Sequence, residues 1–441
     1  MKRIPILLDA LFGLILAAIS VAFFAVREHL WLLALIIPAY IVLNLFAGVL
    51  HKNAEGVRLR LLNHGAVTVC LMLFGSVVAV VYHLILLVRM WGGDLWPLFW
   101  SAVWAVASLA IPFVNGIFFM YVTSVQLGVK WRLIGVIFGL IFPVNLVVLG
   151  IMLARSFREV SFESDKLRLN ASRAAERICA TRYPILLVHG FFFRDWSFFN
   201  YWGRIPKELE KNGARIYYGN HQSARPVPDA AAELARRIRE IVAVNSCGKV
   251  NIIAHSKGGI DVRYAIEHLG IAPMVASLTT VSTPHRGCIF AERLLDTIPE
   301  GVQTRVAGAY NRTLRALGDE NPDFIAAARD LTAGVCTPRD AYRVPDGIFT
   351  QSVGSLQKRA RYGRFPMNLS YRLVRHFDGP NDGLVALTSF EFGERYTLIE
   401  PTSRRGVSHA DMIDLNRENI PGFDVREFYV STVADLKRRG L

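Results

Sequence analysis

Hydrophobic and polar positions divide this chain in two. Five long apolar runs, near residues 6–26, 30–50, 66–88, 98–122 and 132–153, fill its first third. Each is about as long as the ~20 residues that cross a bilayer core. Residues 1–153 therefore read as a transmembrane helical region of about five spans. From Tyr183 the pattern changes. Residues 184–188, 214–218, 250–254 and 277–281 read as short strands, and residues 229–245 and 258–268 have apolar positions at helical spacing. Strands alternating with helices predict a mainly parallel sheet covered on both faces, an α/β domain over residues 183–441. Residues 154–182, rich in Arg and Ser, are either a short amphipathic helix against a membrane surface or a plain linker.

Composition sharpens the division. The chain is 52% hydrophobic, and only nine of its 50 Lys/Arg and four of its 36 Asp/Glu lie in residues 1–153. Buried helices of a soluble protein, or a cleaved signal peptide, fit this poorly. Trp91, Trp96, Trp100 and Trp131 sit near run ends, as an aromatic belt would place them. Asn44, Asn115 and Asn145 each follow a proline inside a run; a lone Asn there more often bonds a neighbouring helix than marks a site. Five spans put the N-terminus and the α/β domain on opposite sides. With Lys2 and Arg3 holding the first span N-inside, the domain is expected to be extracytoplasmic. The net charge of +14 is either a solvated basic surface or a match for an anionic membrane face. No nucleic-acid-binding module is visible, and the sequence leaves the oligomeric state open.

In a parallel sheet, ligands bind beyond the carboxyl ends of the strands. Three strand ends carry unusual chemistry: His189-Gly190-Phe191, His255-Ser256-Lys257-Gly258-Gly259 and Thr283-Pro284-His285-Arg286-Gly287. Ala254-His255-Ser256-Lys257-Gly258 sits between a strand and a helix, the setting of the G-x-S-x-G nucleophile elbow. Small residues must flank the serine there, and Ala254 and Gly258 are small. A serine hydroxyl needs a base to take its proton, and in this arrangement Asp or Glu and then His follow the serine. His268, His285, His376 and His409 lie after Ser256, and only His409 follows the acid candidate Asp382, in Gly379-Pro-Asn-Asp-Gly-Leu-Val385. Asp378 is the rival acid. The expected roles are Ser256 as nucleophile, His409 as base, and Asp382 holding the imidazole tautomer. The amides of Lys257 and Phe191 are the candidate oxyanion donors.

Residues 183–192, 249–259, 277–288, 381–385 and 408–411 recur in the same order in bacterial triacylglycerol lipases of the Pseudomonas and Burkholderia type, and the chain resembles most a clostridial-type lipase/esterase branch. The resemblance covers roughly residues 182–440. It implies an α/β-hydrolase fold, an ester substrate, the triad Ser256, Asp382 and His409, and an oxyanion hole at Phe191 and Lys257. There are departures. Ala254 stands where that family usually has Gly. The family's calcium site uses an Asp two residues after the catalytic His, which Asp411 matches, but its second Asp has no clear counterpart; no calcium and no other cofactor is expected. The family's disulfide would use Cys336, but no partner follows Asn381-Asp382-Gly383, so the five cysteines are expected to be free.

Two stretches bear on the substrate. Residues 191–202 hold eight aromatics in twelve positions, which either line an acyl-chain groove or pack the loop onto the sheet. Phe192 and His285 are the substrate-binding candidates. Residues 289–347 are an insertion, with helical spacing over 301–317 and 323–331, and in the related lipases such insertions form a lid. The expected activity is hydrolysis of lipid esters beside a bilayer. Acyl transfer by the same residues, a non-catalytic scaffold, and a channel with an appended hydrolase are the competing readings.

Overall fold

The computed structural model describes residues 3–49, 54–191, 201–316, 318–339, 344–363, 367–401 and 403–441. They form two compact units that divide between Ser172 and Arg173.

The first unit is all helical: α1 Arg3–Ser20, α2 Phe23–Glu28, α3 Leu33–Phe46, α4 Gly56–Arg89, α5 Trp96–Thr123, α6 Gly128–Phe138 and α7 Val144–Arg173. Among the described residues, two helices, not five, are long and apolar enough to cross a membrane: α4 with 34 residues and α5 with 28. The other three apolar runs are broken. The first stops at Ser20. The second becomes a helix of 14 residues with Pro38 inside it, about 21 Å long at 1.5 Å per residue. The third breaks between α6 and α7, around Gly139 and Pro143. Hydropathy sums along a run and does not register these breaks. The expected extracytoplasmic placement relied on an odd number of spans and falls with it. The segment read as a linker from residue 154 is helical as far as Arg173, in one piece with α7.

Helices α4 and α5 meet through small residues. A Cβ on Gly65 would lie 2.7 Å from the Gly116 carbonyl oxygen, so the absence of side chains lets the two backbones approach. Their other faces expose Val77, Val80, Val81, Leu84, Val88, Val106, Val114, Phe118 and Val122.

The second unit is a six-stranded, wholly parallel sheet of order β2-β1-β3-β4-β5-β6. The strands are β1 Ile185–Val188, β2 Ile216–Tyr218, β3 Val250–His255, β4 Val275–Val281, β5 Phe349–Ser355 and β6 Arg395–Ile399. The helices are α8 Ile205–Lys211, α9 Val227–Asn245, α10 Lys257–His268, α11 Ile289–Thr297, α12 Glu300–Ala316, α13 Phe324–Arg329, α14 Ala333–Arg339, α15 Met367–Phe377 and α16 Val425–Arg438. Alternate strand residues feed opposite faces. Leu186 and Val188 pack with Leu234, Ile238 and Val262 of α9 and α10, while Ile185 and Leu187 pack with Ile205, Leu209, Tyr429 and Val433 of α8 and α16. Helices α11 to α14 make up the insertion between β4 and β5. All five cysteines are free.

Candidate active site

Ser256 directly follows β3 and opens α10. Its backbone has φ 55° and ψ −130°, a left-handed conformation that costs a non-glycine residue free energy and persists only where neighbours enforce it. The Ser256 amide donates to the Val281 carbonyl at 2.9 Å. The turn tolerates no bulk: a Cβ on Gly258 would lie 2.3 Å from the His189 carbonyl oxygen, and one on Gly190 would lie 2.7 Å from the Ser256 Cβ. The sequence pattern of small residues around the serine thus has a steric cause.

His409 and Asp382 meet in the interior. His409 Nδ1 and Asp382 Oδ2 are 2.8 Å apart, with side-chain exposures of 8% and 0%. A carboxylate oxygen accepts, so Nδ1–H donates to it and Nε2 is left as the nitrogen facing away from Asp382. The other carboxylate oxygen accepts from the Leu384 amide at 3.0 Å and the Val385 amide at 2.8 Å. The His409 amide donates back to the Asp382 carbonyl at 2.8 Å. The rival Asp378 is engaged elsewhere: it accepts from the amides of Ile289 and Phe290, both at 2.8 Å, at the start of α11. The ring of His409 lies 4.4 Å from that of His255, so the pair sits beside the residue that precedes the serine.

Two residues in this arrangement escaped the sequence reading, Tyr201 and His255. Burial, and then His409, hold the His255 pKa well below its usual range, so the ring is neutral. Its Nε2 lies 3.2 Å from the His409 carbonyl, which can only accept. Nε2 therefore carries the proton, and Nδ1 accepts from the Tyr201 hydroxyl at 2.7 Å. Tyr201 Oη in turn accepts from the Gly190 amide at 3.0 Å. One continuous set of bonds thus joins the loop after β1, the end of β3 and the His409 backbone. The only sequence signal was that His255 ends a strand; Tyr201 was one aromatic among eight.

Lys257 is the first residue of α10, where helix amides have no partner within the helix. Its side chain turns inward: Nζ lies 2.7 Å from Asp261 Oδ1, each side chain is 1% exposed, and His221 Nε2 lies 3.7 Å from the other carboxylate oxygen. Phe191 follows Gly190 in a bend, and its ring sits 5.3 Å from that of Phe324 in α13. Phe324 stacks on Tyr310 of α12 at 4.7 Å. The insertion therefore rests on the loop after β1. Phe192 lies outside the described residues.

His285 differs from expectation. It is fully buried. Its Nδ1 accepts from Arg263 at 2.9 Å, and its Nε2 lies 2.9 Å from Thr280 Oγ1. Burial, then Arg263, push its pKa well down. A neutral ring with both nitrogens engaged and a face on Phe392 locks the loop after β4 and offers no surface to a substrate.

Asp411 does not suit calcium. Its Oδ1 accepts from Arg405 at 2.9 Å, and its Oδ2 accepts from the Ser408 amide and hydroxyl at 2.9 and 2.7 Å. A guanidinium already faces the carboxylate, and calcium takes six to eight oxygen ligands. No group of three or more His, Cys, Asp or Glu side chains suited to a metal occurs among the described residues.

Sheet order, strained elbow and partner loops define a protein of the α/β-hydrolase class. No family model matches the chain. A triacylglycerol lipase of Vibrio cholerae is 30% identical over 239 residues, 48% of this chain and 75% of the relative. The chain belongs to the triacylglycerol lipase family. A triacylglycerol lipase of Burkholderia plantarii is 36% identical over 176 residues, 37% of this chain and 48% of the relative, so the chain spans about half of that relative's length. The solved mature lipase BlEst2 of Bacillus licheniformis overlays 54% of this chain and 88% of its own at 22% identity and a TM-score of 0.41.

Proposed function

We propose that this protein is a membrane-anchored serine hydrolase that cleaves carboxylic esters of lipids. The observation that carries the reading is the buried His409–Asp382 pair, whose imidazole lies against His255, the residue before a serine held at positive φ. Ser256 Oγ attacks the ester carbonyl carbon while His409 Nε2 takes its proton. The amides of Lys257 and Phe191 hold the oxyanion. The carbon–oxygen bond to the alcohol breaks, and His409 returns the proton to the leaving oxygen. Water then attacks the acyl-enzyme, with His409 as base, and frees the acid and the serine. Asp382 keeps Nδ1 protonated and stabilises the imidazolium. The apolar helices α4 and α5 would hold the enzyme at a bilayer, which favours acylglycerols, phospholipids or other esters that partition there.

The test uses the full-length protein in detergent micelles and in liposomes, with a fluorophosphonate probe and p-nitrophenyl esters of increasing chain length. Wild type should label and turn over. Ser256→Ala should do neither, with turnover down by about 10⁴-fold or more. Labelling that survives in Ser256→Ala would place the nucleophile elsewhere.

A further inference from the structure

His409 stands in residues 403–424, where the described residues form one short 3-10 turn, Asp411–Ile413, and no longer helix or strand. A base must hold its geometry to a fraction of an ångström, because a 1 Å misplacement can cost about 10²-fold in rate. Something must hold this segment. At its start, backbone pairs with the stretch after β5: the Val407 amide donates to the Leu356 carbonyl at 2.9 Å, and the Lys358 amide to the Arg405 carbonyl at 3.2 Å. From that fixed point the Arg405 side chain crosses the segment. Nη2 donates to Asp411 Oδ1 and to Glu418 Oε2, both at 2.9 Å. Arg405 is four residues before His409, Asp411 two after it, and Glu418 nine after it. One guanidinium therefore draws together the stretches on both sides of the base. The Asp411 carboxylate, 4% exposed, also ties down the backbone immediately before His409 through Ser408. A buried carboxylate needs a paired cation, and Arg405 supplies it from within the chain.

We propose that Arg405 is the positioning residue of His409, an internal cation clamp on Asp411 and Glu418 that makes the site independent of calcium. The inference rests on the hydrolase reading above. Arg405 touches no substrate; it acts through the segment that carries His409.

The test measures kcat and KM for p-nitrophenyl butyrate, together with fluorophosphonate labelling, on the full-length protein in detergent. Wild type, Arg405→Gln, Arg405→Lys and Glu418→Gln are compared, each with excess EDTA and with added calcium. Arg173→Gln is the control. It breaks an ion pair of similar length, to Glu427 at 2.6 Å, away from the site. Wild-type rates should be the same in EDTA and in calcium. Arg405→Gln should lose about 10- to 100-fold in kcat with little change in KM. Arg405→Lys should recover part of that loss, because it restores the charge without the fork. Glu418→Gln, which keeps the Arg405–Asp411 bond, should lose less, and it reads out the clamp even if Arg405→Gln fails to fold. Arg173→Gln should lower the melting temperature and leave kcat alone. Wild-type kcat in both Arg405→Gln and Glu418→Gln would overturn the clamp, as would loss of wild-type activity in EDTA restored by calcium. Failure of the wild type to label or turn over would refute the hydrolase reading, and the clamp with it.

Discussion

Replacing Lys257 by methionine removes half of an ion pair that has almost no access to water. Nζ and Asp261 Oδ1 are 2.7 Å apart, and each side chain is 1% exposed. At an effective dielectric of about 20 the attraction is about 6 kcal/mol. Desolvation costs several kcal/mol per ion, so the intact pair contributes little net stability, whereas breaking it costs about 3–5 kcal/mol. For a unit of this size that is a fall in melting temperature of about 6–20 °C. The pH dependence gives a second handle. Burial pushes the Asp261 carboxyl up to about 6, with Lys257 pulling it down. The folded state therefore holds this proton more tightly than the unfolded chain does. The stability this gives is complete below about pH 4 and is lost as pH rises through about 6. Without Lys257 the carboxyl is neutral at pH 5 at little cost, but at pH 8 it must ionise unpaired or hold its proton against the solution. The deficit of Lys257→Met should thus be largest at pH 8 and shrink towards pH 5. Lys257→Met/Asp261→Leu should recover most of it, because no charge is left buried. The assay is thermal unfolding of the full-length protein in detergent, followed by intrinsic fluorescence at pH 5 and pH 8. A single variant within about 1 kcal/mol of wild type at pH 8, or a double variant no better than the single, would refute the reasoning.

Two further outcomes are expected. Gly258→Ala puts a methyl 2.3 Å from the His189 carbonyl oxygen, a backbone atom that cannot swing aside; the cost should reach about 3 kcal/mol, read as a lower melting temperature, and an unshifted transition would show that the elbow has room to spare. Tyr201→Phe removes the hydroxyl that joins the Gly190 amide to His255, so kcat should fall about 10-fold while KM holds; stopped-flow or steady-state kinetics on p-nitrophenyl butyrate check it, and equal kcat in variant and wild type would count against that bonding chain.

What the sequence disclosed depended on how each residue meets its partners. Strand β1 is a continuous apolar run because both its faces are buried, while β3 and β4 were read as strands despite Asn251, Ser277, Thr279 and Thr280 inside them. Strand β5 did not show itself. Its residues Phe349-Thr-Gln-Ser-Val-Gly-Ser355 are largely polar, and Gln351 among them is satisfied sideways within the sheet: it donates to Thr279 at 2.9 Å and accepts from Arg395 of β6. Such bonds are invisible to hydropathy. Chain order singled out His409, and the structure supplied the reason to favour Asp382 over Asp378, since Asp378 caps a helix. Tyr201, His255 and Arg405 were out of reach because their roles come from neighbours 11 to 154 residues away or from a loop without periodicity. The membrane helices were overcounted for the converse reason. Apolar composition extends through turns at Val21, Gly139 and Pro143 that end a helix without interrupting hydropathy.

Asp378 and Asp382 lie four residues apart in the loop after α15, and each ties down something different. Asp378 fastens the first residues of the insertion to the body of the domain, while Asp382 fastens the base. The start of the insertion also packs, through Phe290 and Ala291, against Leu384 and Val385, whose amides hold the Asp382 carboxylate. On the other side of the site, Phe324 leans on Phe191. The insertion thus touches both sides of the site, through Phe324 on Phe191 and through Phe290 and Ala291 on the loop that holds Asp382, so a change of its packing would be felt by the candidate oxyanion donor and by the carboxylate together.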